Sequence, residues 1–430
     1  MMTPRFIIRS GTALGTLAAL IQPAVSNARS DLRFSVPVSV DVGYSNSPFL
    51  ESSGSHGSGF FEVNVNPTLR IVNATSETDI IGSYSRQQYF NRYSSSNSYG
   101  GTLLHNQRLS ERFSLNGSVG YDSSVSGQGS SFNPALPIFD TGPGGANSSS
   151  GGGNAPVTSV PVGGIFVPIT GVGNDLDLIG SRQRRNTLSG SLGGSYSPSS
   201  LDGFSFGGNG SRTTYPDHGL FIDNFTAYGG YLGYSRKLSE RTSIGARVSV
   251  QKVNYDGSTT PDSTIISPQL TYDTRFAEHW TLSAAAGVTI NRSSLGTFHR
   301  SSTSWSGNAS VCHAASRSQM CLTATRGSYA NGLNGVQTQT SVGLTYTRQL
   351  SEYTSLNAGA QYQHSADGTF NTGRRITDYY GGDLGLNRRF TRRLQGFVSG
   401  FYRDTKDTGF ARPADFGGRA GVTYTFGDIR

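Results

Sequence analysis

Arg419-Ala420-Gly421-Val422-Thr423-Tyr424-Thr425-Phe426, just short of the chain end, divides into two chemically distinct sets of side chains. Val422, Tyr424 and Phe426 form an apolar set, while Arg419, Gly421, Thr423 and Thr425 form a small and polar one. A period of two is the period of a β-strand, whose successive side chains point to opposite faces. The segment therefore reads as a strand with one apolar and one polar face.

The same period recurs along the chain. Val36, Val38, Val40, Val42 and Tyr44 alternate with Pro37, Ser39, Asp41 and Gly43, and Leu188, Leu192 and Tyr196 alternate with Ser189, Ser191 and Ser195. Leu282, Ala284, Ala286, Val288 and Ile290 oppose Ser283, Ala285, Gly287 and Thr289, and Leu356, Ala358, Ala360 and Tyr362 oppose Asn357, Gly359, Gln361 and Gln363. These runs are longer than the five or so residues typical of a soluble sheet and match a tilted strand that crosses a bilayer.

Short polar turns join them. Leu109-Ser110-Glu111-Arg112, Leu238-Ser239-Glu240-Arg241 and Leu350-Ser351-Glu352-Tyr353 are near copies, and Phe276-Ala277-Glu278-His279 and Phe390-Thr391-Arg392-Arg393 are looser ones. Longer Gly, Ser, Asp and Asn segments lie between them, so short and long connections alternate. Counting runs predicts roughly eighteen strands, with sixteen as the alternative, the first rising near Phe34 and the last ending at Phe426. An even number returns both chain ends to one side.

The opposite end of the chain sets the compartment. Arg5 and Arg9 precede an uncharged stretch from Gly11 to Ile21, then Pro23 and the small residues Ser26, Asn27 and Ala28. This pattern predicts a secretory signal peptide over residues 1–28, cleaved after Ala28 or Ser26. No later stretch holds eighteen consecutive apolar residues, which excludes a membrane helix and leaves a closed barrel as the way to cross a bilayer. A composition of 34% hydrophobic and 14% charged residues with 57 glycines is poor material for a soluble core. It suits a hollow barrel, in which only the outward half of each strand must be apolar.

Taken with these features, the final strand resembles the terminal signal of Gram-negative outer-membrane β-barrel proteins, with Arg419, Gly421, Tyr424 and Phe426 on its fixed positions. The chain is similar to porin-like members of that group, including barrels that accompany exopolysaccharide export, over residues from about 33 to 426. Members usually stop at the last aromatic, whereas Gly427-Asp428-Ile429-Arg430 follows here. The resemblance implies an all-β, antiparallel up-and-down transmembrane barrel in the outer membrane as a single domain over 29–430. It also implies contacts with outer-membrane lipid and lipopolysaccharide, and assembly by the barrel assembly machinery through Gly421, Tyr424 and Phe426.

One connection breaks the pattern. Residues 125–180 lack sustained alternation and carry Ala135-Leu136-Pro137-Ile138-Phe139, Val160-Pro161-Val162 and Ile165-Phe166-Val167-Pro168-Ile169 around a Gly/Ser hinge. As the third outer loop it is too apolar for a fully solvated linker, and the expectation is that it folds into the lumen and narrows it.

Charge and reactive groups bear on cargo. The formal balance is +8, two fewer without Arg5 and Arg9, and the cations are arginines except Lys237, Lys252 and Lys406. Strand parity places Arg247 inward, opposite Ile244, Ala246, Val248 and Val250, and Arg182, Arg184 and Arg185 are further pore-lining candidates. Lining a pore, they would favour small anions or an anionic polysaccharide. Cys312 and Cys321 flank a turn at Ser316 and Arg317, both on the polar face, and predict a disulfide in an oxidising compartment. The seven histidines are scattered, so neither metal, cofactor nor catalytic site is assigned, and dispersed charge on an exported chain argues against nucleic acid. The reading is a passive outer-membrane channel for polar solutes or polysaccharide. A non-conducting structural or surface-binding barrel is the alternative, and a barrel-embedded hydrolase stands behind it.

Overall fold

The computed structural model describes residues 31–51, 56–125, 159–162, 165–168, 178–216, 222–257, 260–333, 335–366, 376–407 and 411–427. The predicted signal peptide lies outside them. So does most of the connection over 126–177, and with it the expectation that this loop folds into the lumen.

The strands in chain order are β1 (Asp31–Ser45), β2 (Ser58–Val65), β3 (Thr68–Val72), β4 (Ser76–Tyr89), β5 (Ser96–Arg108) and β6 (Phe113–Val125). Two short strands follow, β7 (Ser159–Val162) and β8 (Ile165–Pro168), which pair only with each other. Next come β9 (Arg184–Tyr196), β10 (Asp202–Thr214), β11 (Phe225–Lys237), β12 (Thr242–Tyr255), β13 (Asp262–Ala277), β14 (Trp280–Leu295) and β15 (Phe298–Ala315). The last are β16 (Ser318–Asn331), β17 (Gly335–Gln349), β18 (Thr354–Ala366), β19 (Ile376–Arg389), β20 (Leu394–Asp407) and β21 (Asp415–Gly427).

Neighbours in sequence are neighbours in the sheet, and every pairing is antiparallel. β2 and β3 are two parts of one wall strand, since both pair with β1 and with β4. Pro67 separates them because it has no N–H for the ladder, and its carbonyl is instead used by the amide of Gly82 at 2.8 Å. Counted so, the sheet has eighteen strands and closes on itself, β1 pairing with β21 from Ser35↔Gly427 to Ser45↔Gly417.

Register assigns the faces. Val36, Val38, Val40 and Val42 stand opposite Phe426, Tyr424, Val422 and Ala420, and this set points outward. The outer surface is apolar around the circumference, with Leu192, Leu232, Leu270, Val288, Leu344, Leu384 and Val398 all exposed. Their exposure, 71% for Leu270, would be costly in water and is the requirement for contact with lipid. Inward positions are mostly Ser, Thr, Asn, Gln, Gly and charged residues, with apolar groups concentrated near the outer ends of strands such as β11 to β13. Gly421 illustrates why the terminal strand needs its glycine. A Cβ there would meet the Asp41 Cβ and the Val40 carbonyl oxygen at 2.5 Å and the Phe397 ring at 2.8 Å, so only a hydrogen fits at the closing seam.

The repeated turns all lie at the end where β1 begins and β21 ends, and the longer connections lie at the other. Within the three near copies a serine caps the turn, as Ser110, Ser239 and Ser351 accept from the amides of Arg112, Arg241 and Tyr353. Cys312 and Cys321 form a cross-strand pair beside the two-residue turn at Ser316 and Arg317, with Cα atoms 4.1 Å apart and a disulfide between them. Both fall on the inward face, since their neighbours Val311 and Leu322 pair on the outward one.

Because this bridge closes a short loop, its loss is expected to cost about 2–3 kcal/mol at most. Unfolded without reductant, the exported protein should take up no thiol label, and after reduction both cysteines should label, read by mass. Labelling without reduction would show that the bridge does not form.

Candidate functional site: the lumen and its outer mouth

A charged band runs across the inner face where the barrel closes. Asp41 on β1 stands directly opposite Glu62 on β2, and Arg419 on β21 reaches Glu62 with Nη1 to Oε2 at 3.7 Å. Arg419 also donates from Nε to Ser399 Oγ at 3.3 Å, and Ser85 Oγ donates to Glu62 at 2.9 Å. On the next strands Arg403 is paired with Asp415, donating from Nε at 3.0 Å, and it also donates from Nη2 to the Pro48 carbonyl at 3.0 Å. Glu62, Arg403 and Arg419, with Phe60, Tyr89, Tyr379 and Asp383, line a recess of about 80 Å³ in the wall.

Pairing of inward arginines continues beyond the recess. Arg70 on β3 is paired with Glu77 and lies 3.8 Å from Asp79, and Arg412 lies 3.7 Å from Asp407. In a confined interior an isolated cation is costly, and a neighbouring carboxylate offsets much of that cost. The lumen is thus lined by charge pairs rather than by one sign of charge. Among the described residues no group of three or more His, Cys, Asp or Glu could hold a metal ion.

The outer mouth is narrowed by the β16–β17 hairpin. The β15–β16 ladder stops at Gly307↔Arg326, although β15 continues with β14 as far as Phe298 and β16 continues with β17 as far as Asn331. Above the fork the β16–β17 tip passes inside the wall. Val336, on its outward face and 1% exposed, packs with Ala330 and Leu333 against the inward faces of β11, β12 and β13: Phe225, Ala227, Val253, Tyr255 and Ile265. Tyr215 and Leu178 complete this cluster. The Asp223 amide donates to the Gly332 carbonyl at 2.8 Å and ties the tip to the β10–β11 connection. Polar contacts hold its other side, where Ser365 Oγ donates to Gln337 and Gln339 Nε2 donates to Gln363 at 3.3 Å.

The arginines singled out from sequence separate into different environments. Arg247 points inward but is only 8% exposed and donates to Gln269 Oε1, so it is part of the wall rather than a free guanidinium in the path. Arg185 pairs in register with Ser124 on the inward face. Arg184 is corrected: it stands opposite Val125 on the outward face, with its guanidinium 6.0 Å from the exposed Tyr99 ring. Parity within β9 already opposed it to Thr187 and Ser189. Arg182 lies in the turn before β9, 4.6 Å over the Phe49 ring and 3.9 Å from Glu51, beside the Phe49, Phe60, Tyr89 and Tyr93 cluster at the outer mouth.

Asp41, Glu62, Asp383 and Arg403 were not singled out from sequence, and Arg419 was read only as part of the terminal strand signal. Each sits on the polar face of an alternating run, so parity applied to acids as well as to arginines could have found them. The inward hairpin has no comparable signal, because Ala330 and Val336 continue an ordinary outward stripe.

An eighteen-stranded closed antiparallel barrel with an apolar exterior and a polar interior has the architecture of a porin-like outer-membrane barrel. No family model matches the chain, and no curated protein matches it. Solved structures similar to it include OccK2 (OpdF) of Pseudomonas aeruginosa in complex with glucuronate, 12% identical over 92% of this chain and 98% of that one, with a TM-score of 0.42. The outer membrane protein OpdK of the same organism is 12% identical over 92% and 99%, with a TM-score of 0.43. A BenF-like porin of Pseudomonas fluorescens Pf-5 is 10% identical over 93% and 99%, with a TM-score of 0.45. Likenesses this distant carry no information on cargo.

Val336→Asp should expel the hairpin tip, since it replaces a fully buried apolar side chain, worth roughly 2 kcal/mol or more, with a carboxylate that has no partner there. Single-channel conductance should rise while strand content by circular dichroism stays unchanged. Unaltered conductance in a folded variant would mean that the tip does not limit the path.

Proposed function

We propose that this protein is a passive, cofactor-free channel of the outer membrane for small polar solutes. The observation that carries the reading is the lumen wall itself, in which charge pairs and hydroxyl groups replace the apolar filling a structural barrel would need. A hydroxylated solute can exchange its water shell for such a wall at little cost, whereas an apolar one gains nothing from it. The inward-tucked hairpin favours small solutes over a polysaccharide strand, so export of polymer is the weaker form of the proposal.

Selectivity by charge is read as moderate, because carboxylates accompany the inward arginines. Solutes carrying both hydroxyls and a carboxylate fit best. They can hydrogen-bond along the wall and meet Arg403 and Arg419 at the recess without facing a uniformly negative field. Gly421, Tyr424 and Phe426 are read as the signal engaged by the assembly machinery, with the two aromatics presented on the outward face of the closing strand.

Swelling of liposomes containing the protein should be faster with small sugars and sugar acids than with oligosaccharides, and absence of solute-dependent swelling would leave the non-conducting anchor. Substitutions at the wall give the charge test. Arg247→Gln should lower the anion-to-cation permeability ratio by about two- to threefold and Glu62→Gln should raise it, the sign in each case following the charge removed. Equal reversal potentials for both variants and the parent would return these residues to a structural role.

A further inference from the structure

The fork between β15 and β16 bears a second feature, on the lipid-facing side. Trp305 projects outward there and is 63% exposed. The Arg326 guanidinium lies over its indole at 4.6 Å and donates from Nη1 to Thr340 Oγ1 at 2.7 Å. Below this level the outward faces of β16 and β17 are apolar, with Leu322, Ala324, Val342 and Leu344. Above it the outward positions of β14 and β15 are the pair Ile290 and Thr303 and then the pair Arg292 and Ser301, so polar side chains take over within two residue pairs. The belt therefore ends one residue pair beyond Trp305, at the end of the barrel remote from the start of β1 and the end of β21, which is the depth at which outer-leaflet head groups begin.

Arg326 differs in one respect from the ion-paired arginines. Arg70, Arg403, Arg412 and Arg419 each have a carboxylate, and on the outer surface Arg212 has Asp256 at 2.8 Å. Among the described residues Arg326 has none, and its buried Nε has no hydrogen-bond acceptor. Arg292 likewise has no carboxylate among the described residues. It lies in register with Ser301, four residues beyond Trp305 along β15, or roughly 13 Å at the usual strand rise. At a membrane interface a lipid phosphate is a ready source of an anion for such groups.

We propose that this fork is a binding site for a phosphorylated glycolipid of the outer leaflet. A phosphate would accept from Arg326, the sugar ring would stack on the Trp305 face away from Arg326 beside the hydroxyls of Thr303 and Thr340, and a second phosphate would reach Arg292. The break in the β15–β16 ladder supplies the notch, because no neighbouring strand covers Trp305 above Gly307. The site needs only the outer-membrane location and is independent of whether the barrel conducts.

The chain has two tryptophans, so Trp280→Phe leaves Trp305 as the sole indole reporter. In phosphatidylcholine vesicles holding the folded protein, diphosphoryl lipid A should change Trp305 emission saturably. Arg326→Gln should weaken that response by about tenfold, the usual cost of losing one charge-assisted hydrogen bond, and Arg326→Lys should retain most of it. Should Arg326→Gln fail to fold, Arg292→Gln carries the same reading with a smaller loss. No saturable change, or an equal response to fully dephosphorylated lipid A, would overturn the site. An equal response to phosphatidylglycerol would overturn the recognition of sugar.

Discussion

Closure of the sheet is the constraint on which everything else rests. Hydrocarbon offers no partner to a backbone N–H or C=O, so a strand that crosses it must be paired on both edges. The β1–β21 ladder, running from Ser35↔Gly427 to Ser45↔Gly417, gives the first and last strands the neighbours that sequence adjacency denies them. Gly421 allows that seam to close, since any larger residue would collide with Asp41 and Phe397. Once the ring is complete the outward positions answer to lipid and the inward positions to water, and period two follows.

The interior inherits a different problem. A hollow barrel of this size cannot be filled by side chains, so its inner face must be hydrated, and charges placed there have to be balanced locally. The pairs Arg419 with Glu62, Arg403 with Asp415 and Arg412 with Asp407 are that balance. They keep a polar wall without a single-signed field, and this is why a net positive chain does not require an anion-only pore. The β16–β17 tip then narrows the mouth with an apolar cluster that would have no place in a soluble hairpin.

Most of the architecture was legible in the sequence because parity is a local property. Val36 to Tyr44, Leu282 to Ile290 and Arg419 to Phe426 each declare their faces without reference to the rest of the fold, and the serine turns declare the hairpins. Parity also set Arg247 inward and paired Cys312 with Cys321. It was not applied to Arg184, which was grouped with Arg182 and Arg185 by proximity in sequence although neighbours in a strand face opposite ways. The Glu62 to Arg419 contact joins residues at opposite ends of the chain and depends on closure, so no local pattern contains it. The inward turn of the β16–β17 tip depends on the faces of β11 to β13, and was hidden for the same reason.

Single-channel recording of the parent protein in a planar bilayer tests the central claim most directly. A closed, hydrated bore predicts discrete conductance steps that scale with salt concentration and appear with each insertion event. Folded protein that inserts, shown by protection of its strands from proteolysis, yet leaves the bilayer electrically silent at every voltage would contradict the account.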